Sequence, residues 1–342
     1  MRVAMYYSNR DVRLEEMPVP KIGSGEALMR VEASGICGSD LLEWYRLHKA
    51  PLVLGHEVAG VVAAVGKGVK HHKVGDRICA AHHVPCNTCH YCLSGHHTVC
   101  DTLRRTNFDP GGFAEYVRLP RINVEQGIFP LPDEVSFEDA TFVEPLACVL
   151  RGQRLAHLQP GQTVLVIGSG VAGLLHIQLA RASGAGYIMA TDIVDYRLEG
   201  ARKFGADVAV QAKDYTPDYV RRAADGRLAD LVVICSGATP AVAQALELVE
   251  RGGTVLFFAP TEPGVTVPIS VNDLFWRNEI TLMSSYGGSP DDYAAALGLI
   301  QTGKIRVREM VTHRLGLAET GLGFQLVVRA QNSLKVIIEP QR

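Results

Sequence analysis

The chain of 342 residues carries almost no net charge, with 34 lysines and arginines against 36 aspartates and glutamates. A balance of -2 leaves no electrostatic footprint for nucleic acid or an anionic membrane, so neither is expected as a partner. A long uninterrupted apolar run is also missing. The most apolar stretch, 163–180, contains Thr163, Ser169, His176 and Gln178 besides its glycines. That composition suits a strand, a turn and a helix better than a membrane span. Residues 1–11 lack an apolar core of signal-peptide length, and a cytoplasmic location is the expectation. Internal repeats and low-complexity tracts are lacking too. What is present, 47% hydrophobic and 20% charged residues, is the balance of a chain that buries a core. This length accommodates two ordinary domains.

Eight cysteines in such a chain do not suggest disulfides, because the cytosol keeps thiols reduced. Five of them fall in 79–100, and such clustering points to metal ligation or catalysis. Cys86, Cys89 and Cys92 form two successive C-x-x-C steps, and Cys100 follows, so four thiols lie within fifteen positions. Thiolates so spaced converge on one tetrahedral zinc at about 2.3 Å each, with Cys100 closing the shell. Four protein ligands leave no position for water, so an ion held in this lobe, 82–101, is expected to be structural. His90, His96 and His97 nearby are read as solvated side chains.

To about Leu119, short β-like runs at 27–31, 58–65 and 113–118 alternate with glycine turns. This is the texture of a mostly antiparallel β domain. From about Ser136 the pattern changes. A helix over 137–155, interrupted near Pro145, precedes an apolar strand at 163–167 and a helix at 171–183. Strand 187–191, helix 196–204, strand 231–235, helix 241–250 and strand 254–258 follow. Such alternation predicts βαβ units on a parallel sheet. Helix 292–302 and strand 334–338 close the chain.

Between strand 163–167 and its helix stand Gly168, Ser169, Gly170, Val171, Ala172 and Gly173. A lone G-x-G-x-x-G says little, but a strand before it and a helix after it strengthen the signal. The first glycine permits a tight turn, and the second lets backbone approach a pyrophosphate. The third lets helix and strand pack closely, with the helix N-terminus at Val171 facing the phosphates. Asp192 ends the next strand, where a carboxylate accepts hydrogen bonds from ribose hydroxyls. It would repel a 2′-phosphate, so NAD is predicted over NADP. Arg197, five residues later, is placed to flank adenine or reach a phosphate.

A second set of metal-ligating types is scattered. Cys37 lies in Gly35-Ile36-Cys37-Gly38-Ser39-Asp40, Gly55-His56-Glu57 follows, and Glu144 stands just before Pro145. Each alone reads as packing or capping. Together, Cys, His and carboxylate suit a zinc ion that keeps one position open for water or substrate.

These motifs resemble the medium-chain, zinc-containing alcohol dehydrogenase family across essentially the whole chain. The match rests on GICGSD with GHEVAG, the CNTCHYC lobe with its later cysteine, and VEPLA before IGSGVAG. Within the family the chain looks most like the polyol (sorbitol-type) and threonine dehydrogenase branches. The resemblance implies an α/β protein, with a GroES-like, mostly β catalytic domain at 1–145 and 290–342. A Rossmann domain with a doubly wound parallel sheet would lie between, at 146–289. It implies two zinc ions per chain and NAD, with Cys37 and His56 as ligands of the catalytic ion. Glu57 and Glu144 would be direct or water-linked partners. Ser39 matches the family hydroxyl that hydrogen-bonds the substrate oxygen.

One departure is Leu42, where many relatives carry a histidine that passes the proton to solvent. The expected activity is oxidation of a secondary alcohol, a polyol, sugar derivative or hydroxy amino acid. A threonine- or sugar-phosphate-specific enzyme is the alternative. A zinc-free reductase of the same superfamily fits poorly, since both zinc constellations are kept, and a non-catalytic cofactor-binding homologue has only Leu42 in its favour. Relatives of this length imply a homotetramer, or else a dimer.

Overall fold

A computed structural model describes residues 1–342. The chain forms two compact units, Met1–Ala147 with Gly287–Arg342, and Cys148–Tyr286.

In the first unit the strands run Val311–Gly316, Lys335–Glu339, Ala27–Gly35, Glu57–Val65, Arg77–Ala80 and Ile128–Pro130 across one sheet, and Tyr116–Leu119 also pairs with Ala27–Gly35. All neighbours are antiparallel except Val311–Gly316 beside Lys335–Glu339. Along Ala27–Gly35 the residues Ala27, Met29, Val31 and Ala33 are buried. This is the period of two that turns one face of a strand into a core. Val58, Val62, Ile78, Val117 and Leu119 pack on that face. The central position of Ala27–Gly35 matters for the site. Its last residue, Gly35, lies opposite Glu57 on one side and Ile337 on the other.

Two expectations shift here. The run 113–118 becomes a strand only at Tyr116–Leu119. Phe113 and Ala114 turn aside to the strand Arg2–Ser8, where Ala4 N–H donates to the Phe113 carbonyl at 2.9 Å. Burial of the Phe113 ring against Phe324 drives that departure. The interrupted helix over 137–155 is two helices, Phe137–Ala140 and Val143–Leu155. The break falls at Thr141 and Phe142, ahead of Pro145. Proline sits in the first turn of the second helix, where its missing N–H has no intrahelical partner to lose.

In the second unit six parallel strands follow the order Val208–Gln211, Tyr187–Asp192, Thr163–Ile167, Ala229–Ile234, Val249–Phe257 and Thr281–Ser284. The order runs outward in both directions from Thr163–Ile167, which makes the end of that strand the switch point of a doubly wound sheet. All five residues of Thr163–Ile167 are buried, as a parallel strand covered on both faces requires. Strand Val208–Gln211 and helix Pro217–Ala223 add to the predicted elements. Both are too short for their periodicity to stand out. No helix is long and apolar enough to cross a membrane.

Candidate metal and dinucleotide sites

The four lobe cysteines come together. Their sulfurs lie within 4.8 Å of one another, with Cys89 to Cys92 at 3.5 Å, Cys86 to Cys100 at 3.6 Å and Cys86 to Cys92 at 4.0 Å. Four bonds of about 2.3 Å to a tetrahedral ion require edges of ~3.8 Å, so the cage fits zinc without rearrangement. None of these cysteines is in a disulfide. Asn87 adopts φ 58 between the first two, which turns the chain back on itself. Cys89 N–H donates to the Cys86 sulfur at 3.3 Å. Hydrogen bonds from Thr88, then Cys89, pull the Cys86 thiol down to about 5. Burial, then Cys89, lifts Cys92 to about 12. Such a crowd of thiols becomes favourable as thiolates only around a cation.

The scattered set also converges in part. Cys37 follows Gly35 and caps the short turn Gly38–Leu41, its sulfur accepting from Ser39 N–H at 3.5 Å and lying 3.4 Å from Ser39 Oγ. Donor atoms of Cys37, His56 and Glu57 lie within 4.8 Å of one another. Glu144, buried in the first turn of Val143–Leu155, is not among the three. Asp40, fully buried, accepts Cys37 N–H at 3.1 Å and lies 3.3 Å from His56 Nδ1. A carboxylate on Nδ1 fixes the ring and leaves Nε2 for a metal. Burial opposes charge on both partners, yet His56 and Arg46 hold the Asp40 carboxyl below its ordinary range. The Asp40 carboxylate and the Cys37 sulfur likewise keep His56 well above its usual value. Positive charge is therefore welcome where Cys37 and His56 meet, which fits a divalent cation.

Glu57 has a second allegiance. Its Oε2 pairs with Lys335 Nζ, and both side chains are buried. The Lys335 ammonium also lies 5.3 Å from the Phe142 ring centroid. Gly35 makes the space, since a β-carbon there would collide with the Glu57 carboxylate and come within 2.5 Å of Lys335 Cε. The sequence reading missed Asp40 and Lys335. Asp40 had a signal, an acid three residues after Cys37 at capping-box spacing. Lys335 had none.

The glycine turn has the predicted shape. Gly168 adopts φ 96, and a β-carbon on Gly173 would collide with the Gly168 carbonyl. Over Gly170 the nearest atoms to such a carbon are those of Arg197, at 3.9 Å, so the approach is open. No side chain caps the helix Val171–Ala182, leaving its first N–H groups for an anion. Asp192 Oδ2 accepts Ser169 N–H at 2.8 Å, and Oδ1 accepts Ile193 and Val194 N–H at 2.8 and 3.0 Å. Arg197 Nη1 stands 3.9 Å from that carboxylate. The turn, the bare helix end and the held acid fit a dinucleotide.

Two kinds of zinc-donor set and an open glycine turn on a parallel sheet define a metal- and dinucleotide-dependent oxidoreductase. Known proteins agree. Residues 23–133 match the alcohol dehydrogenase GroES-like domain, and residues 171–302 the zinc-binding dehydrogenase model. The chain is 30% identical to sorbitol dehydrogenase of Bacillus subtilis, covering 100% of this chain and 98% of that one. It is 34% identical to L-threonine 3-dehydrogenase of Bacillus velezensis, over 96% and 95%. A Sinorhizobium meliloti protein described as a zinc-binding dehydrogenase, solved with NADP, superposes with a TM-score of 0.86 at 30% identity over 99% of each chain. The chain belongs to the medium-chain, zinc-dependent alcohol dehydrogenase family, among its polyol and threonine branches. It is an enzyme that oxidises a secondary alcohol with zinc and a nicotinamide cofactor.

Proposed function

We propose that Cys37 and His56 hold the catalytic zinc, with Glu57 or Glu144 as its carboxylate partner, and that Cys86, Cys89, Cys92 and Cys100 hold a structural one. The observation that carries this is the meeting of Cys37, His56 and Glu57 within 4.8 Å. Because Lys335 takes Oε2, Glu57 has Oε1 left for the metal or a water on it. Gly168, Gly170, Val171 and Gly173 cradle the pyrophosphate in this reading, and Asp192 takes the ribose hydroxyls, favouring NAD. Arg197 flanks the adenine. The catalytic domain is assigned to 1–145 and 290–342, and the dinucleotide domain to 146–289.

Zinc supplies a Lewis acid that makes an alcohol proton easier to lose near neutral pH, and NAD supplies the hydride acceptor. The protein's residues bind and orient. Ser39 Oγ, beside the Cys37 sulfur, holds the substrate hydroxyl and takes up its proton. Leu42 has no group to pass that proton on, so its way out is through water or the ribose hydroxyls. The enzyme is further read as cytoplasmic and homo-oligomeric, a tetramer in preference to a dimer. Supporting this, Thr281–Ser284 is an open sheet edge, with Val271 67% and Trp276 70% exposed nearby. Light scattering reads the assembly directly.

The test of the reaction is NADH formation across neutral polyols, polyol acids, polyol phosphates, diols and threonine, with metal content measured alongside. Roughly two zinc ions per chain are expected, falling to roughly one in Cys37→Ala. Ser39→Ala should lower kcat by about 100-fold or more. Absence of turnover on every series by the fully zinc-loaded protein would overturn the reading, and an unchanged rate in Ser39→Ala would remove that residue's role.

A further inference from the structure

Positive charge collects immediately after Ser39. Arg46 ends the short helix Glu43–Arg46, and its guanidinium turns back on the chain. Its Nε donates to the Ser39 carbonyl at 3.1 Å, and Nη2 donates to Ser39 Oγ at 3.4 Å. That same Oγ is 3.4 Å from the Cys37 sulfur, so the guanidinium stands next to the reacting end of the site. Lys49 is close by. Its Nζ lies 4.0 Å from the Tyr45 ring centroid, and Arg46 Cζ lies 4.7 Å from the same centroid. Two cations therefore flank one ring.

Little negative charge offsets them. The carboxylate facing Arg46 is Asp40, at 3.5 Å, and it already serves Cys37 N–H and His56. Glu43 turns away to accept Asn9 N–H at 3.0 Å. Glu57 is neutralised by Lys335. Lys49 is exposed, and its neighbour is the Tyr45 ring rather than an acid. A neutral polyol offers these cations only hydroxyl oxygens, which replace water at little net gain. A carboxylate or phosphate offers charge-assisted bonds about twice as strong, and a guanidinium can grip it with two parallel N–H groups.

We propose that Arg46 and Lys49 seat an anionic oxygen group of the substrate, so that the preferred substrate is a secondary alcohol with a carboxylate or phosphate on the same short carbon chain. This rests on the reading that Cys37, Ser39 and His56 mark the reacting end. Trp44, 38% exposed and packed on Tyr45, walls the seat instead of filling a core.

The experiment compares kcat/KM with NAD for neutral polyols, for polyol acids of the same skeleton and for polyol phosphates. One anionic series should exceed its neutral counterparts by about 10-fold or more, and which one does so distinguishes carboxylate from phosphate. In Lys49→Gln that anionic-to-neutral ratio should collapse by about 10-fold, with most of the loss in KM, and added salt should erode it in the wild type. As a second readout, inorganic phosphate or a non-oxidisable carboxylate should compete with polyol turnover in the wild type and less so in Lys49→Gln. Equal kcat/KM for neutral and anionic series, or a ratio unmoved by Lys49→Gln, overturns the anion seat while leaving the dehydrogenase reading intact. No turnover of either series by zinc-loaded, NAD-binding protein overturns both.

Discussion

At the scale of single residues, the pair of Glu57 and Lys335 shows how a site is held by charges that never reach solvent. Each side chain is 1% exposed, so each has given up its water and depends on the other. Removing one partner of a buried pair costs about 3–5 kcal/mol, because the remaining charge stays behind uncompensated. Lys335→Met is therefore expected to lower unfolding stability by that amount in denaturant titration. Adding Glu57→Gln to it should recover a large part, since the orphaned charge is then gone. A Lys335→Met protein as stable as the wild type would show that Glu57 finds other company. Gly35 belongs to the same argument, because the space it leaves open is where the two side chains meet. The resemblance of the GHE motif marked Glu57 as a candidate ligand. It did not show that one of its oxygens is already engaged.

At the scale of elements, the helix Val171–Ala182 joins the proposed cofactor turn to a pH sensitivity. Its N-terminus is left uncapped for an anion, while its middle buries His176 completely. Gln153 reaches His176 Nδ1 at 3.1 Å, and the Phe258 ring meets the imidazole edge-on at 4.6 Å. Burial holds this imidazole neutral, down to about 3. In the unfolded chain the same group takes up a proton below its ordinary value of about 6.5. The unfolded state therefore binds more protons between those two values. Stability is complete above pH of about 6.5 and falls on acidification, with a slope approaching 1.4 kcal/mol per pH unit, or about that. His176→Leu should flatten this dependence by one proton's worth in melts taken from pH of about 7 to 4. An unchanged slope would show that the acid lability lies elsewhere.

At the scale of the whole molecule, legibility follows sequence distance. The cysteine lobe and the glycine turn were readable because each packs its geometry into a short stretch, where spacing alone dictates which atoms meet. The parallel sheet was readable from its long apolar strands, whereas Val208–Gln211 is a four-residue strand in which Ala209 alone is fully buried, too short for a pattern to read. Lys335 reaches Glu57 across 278 positions, and no local rule links them. Arg46 and Ser39 are seven apart, yet their contact depends on a helix of four residues turning the guanidinium back. The two units have separate cores, and the proposed zinc residues and glycine turn fall in different units, so each unit should respond to its own ligand. A ligand that binds only the folded state stabilises what it touches by about 2.7 kcal/mol at a hundredfold excess over its Kd. In peptide-resolved hydrogen exchange, a chelator should speed exchange at 86–100 and around Cys37 and His56, since the thiolate cage has little apolar content besides Leu103 to hold it. NAD should slow exchange at 163–192, where the turn, the bare helix end and Asp192 lie. Chelation that leaves 86–100 protected would mean the lobe folds without metal, and NAD that leaves 163–192 unchanged would place the cofactor elsewhere. The responses must separate by segment, because a uniform shift would report only global unfolding.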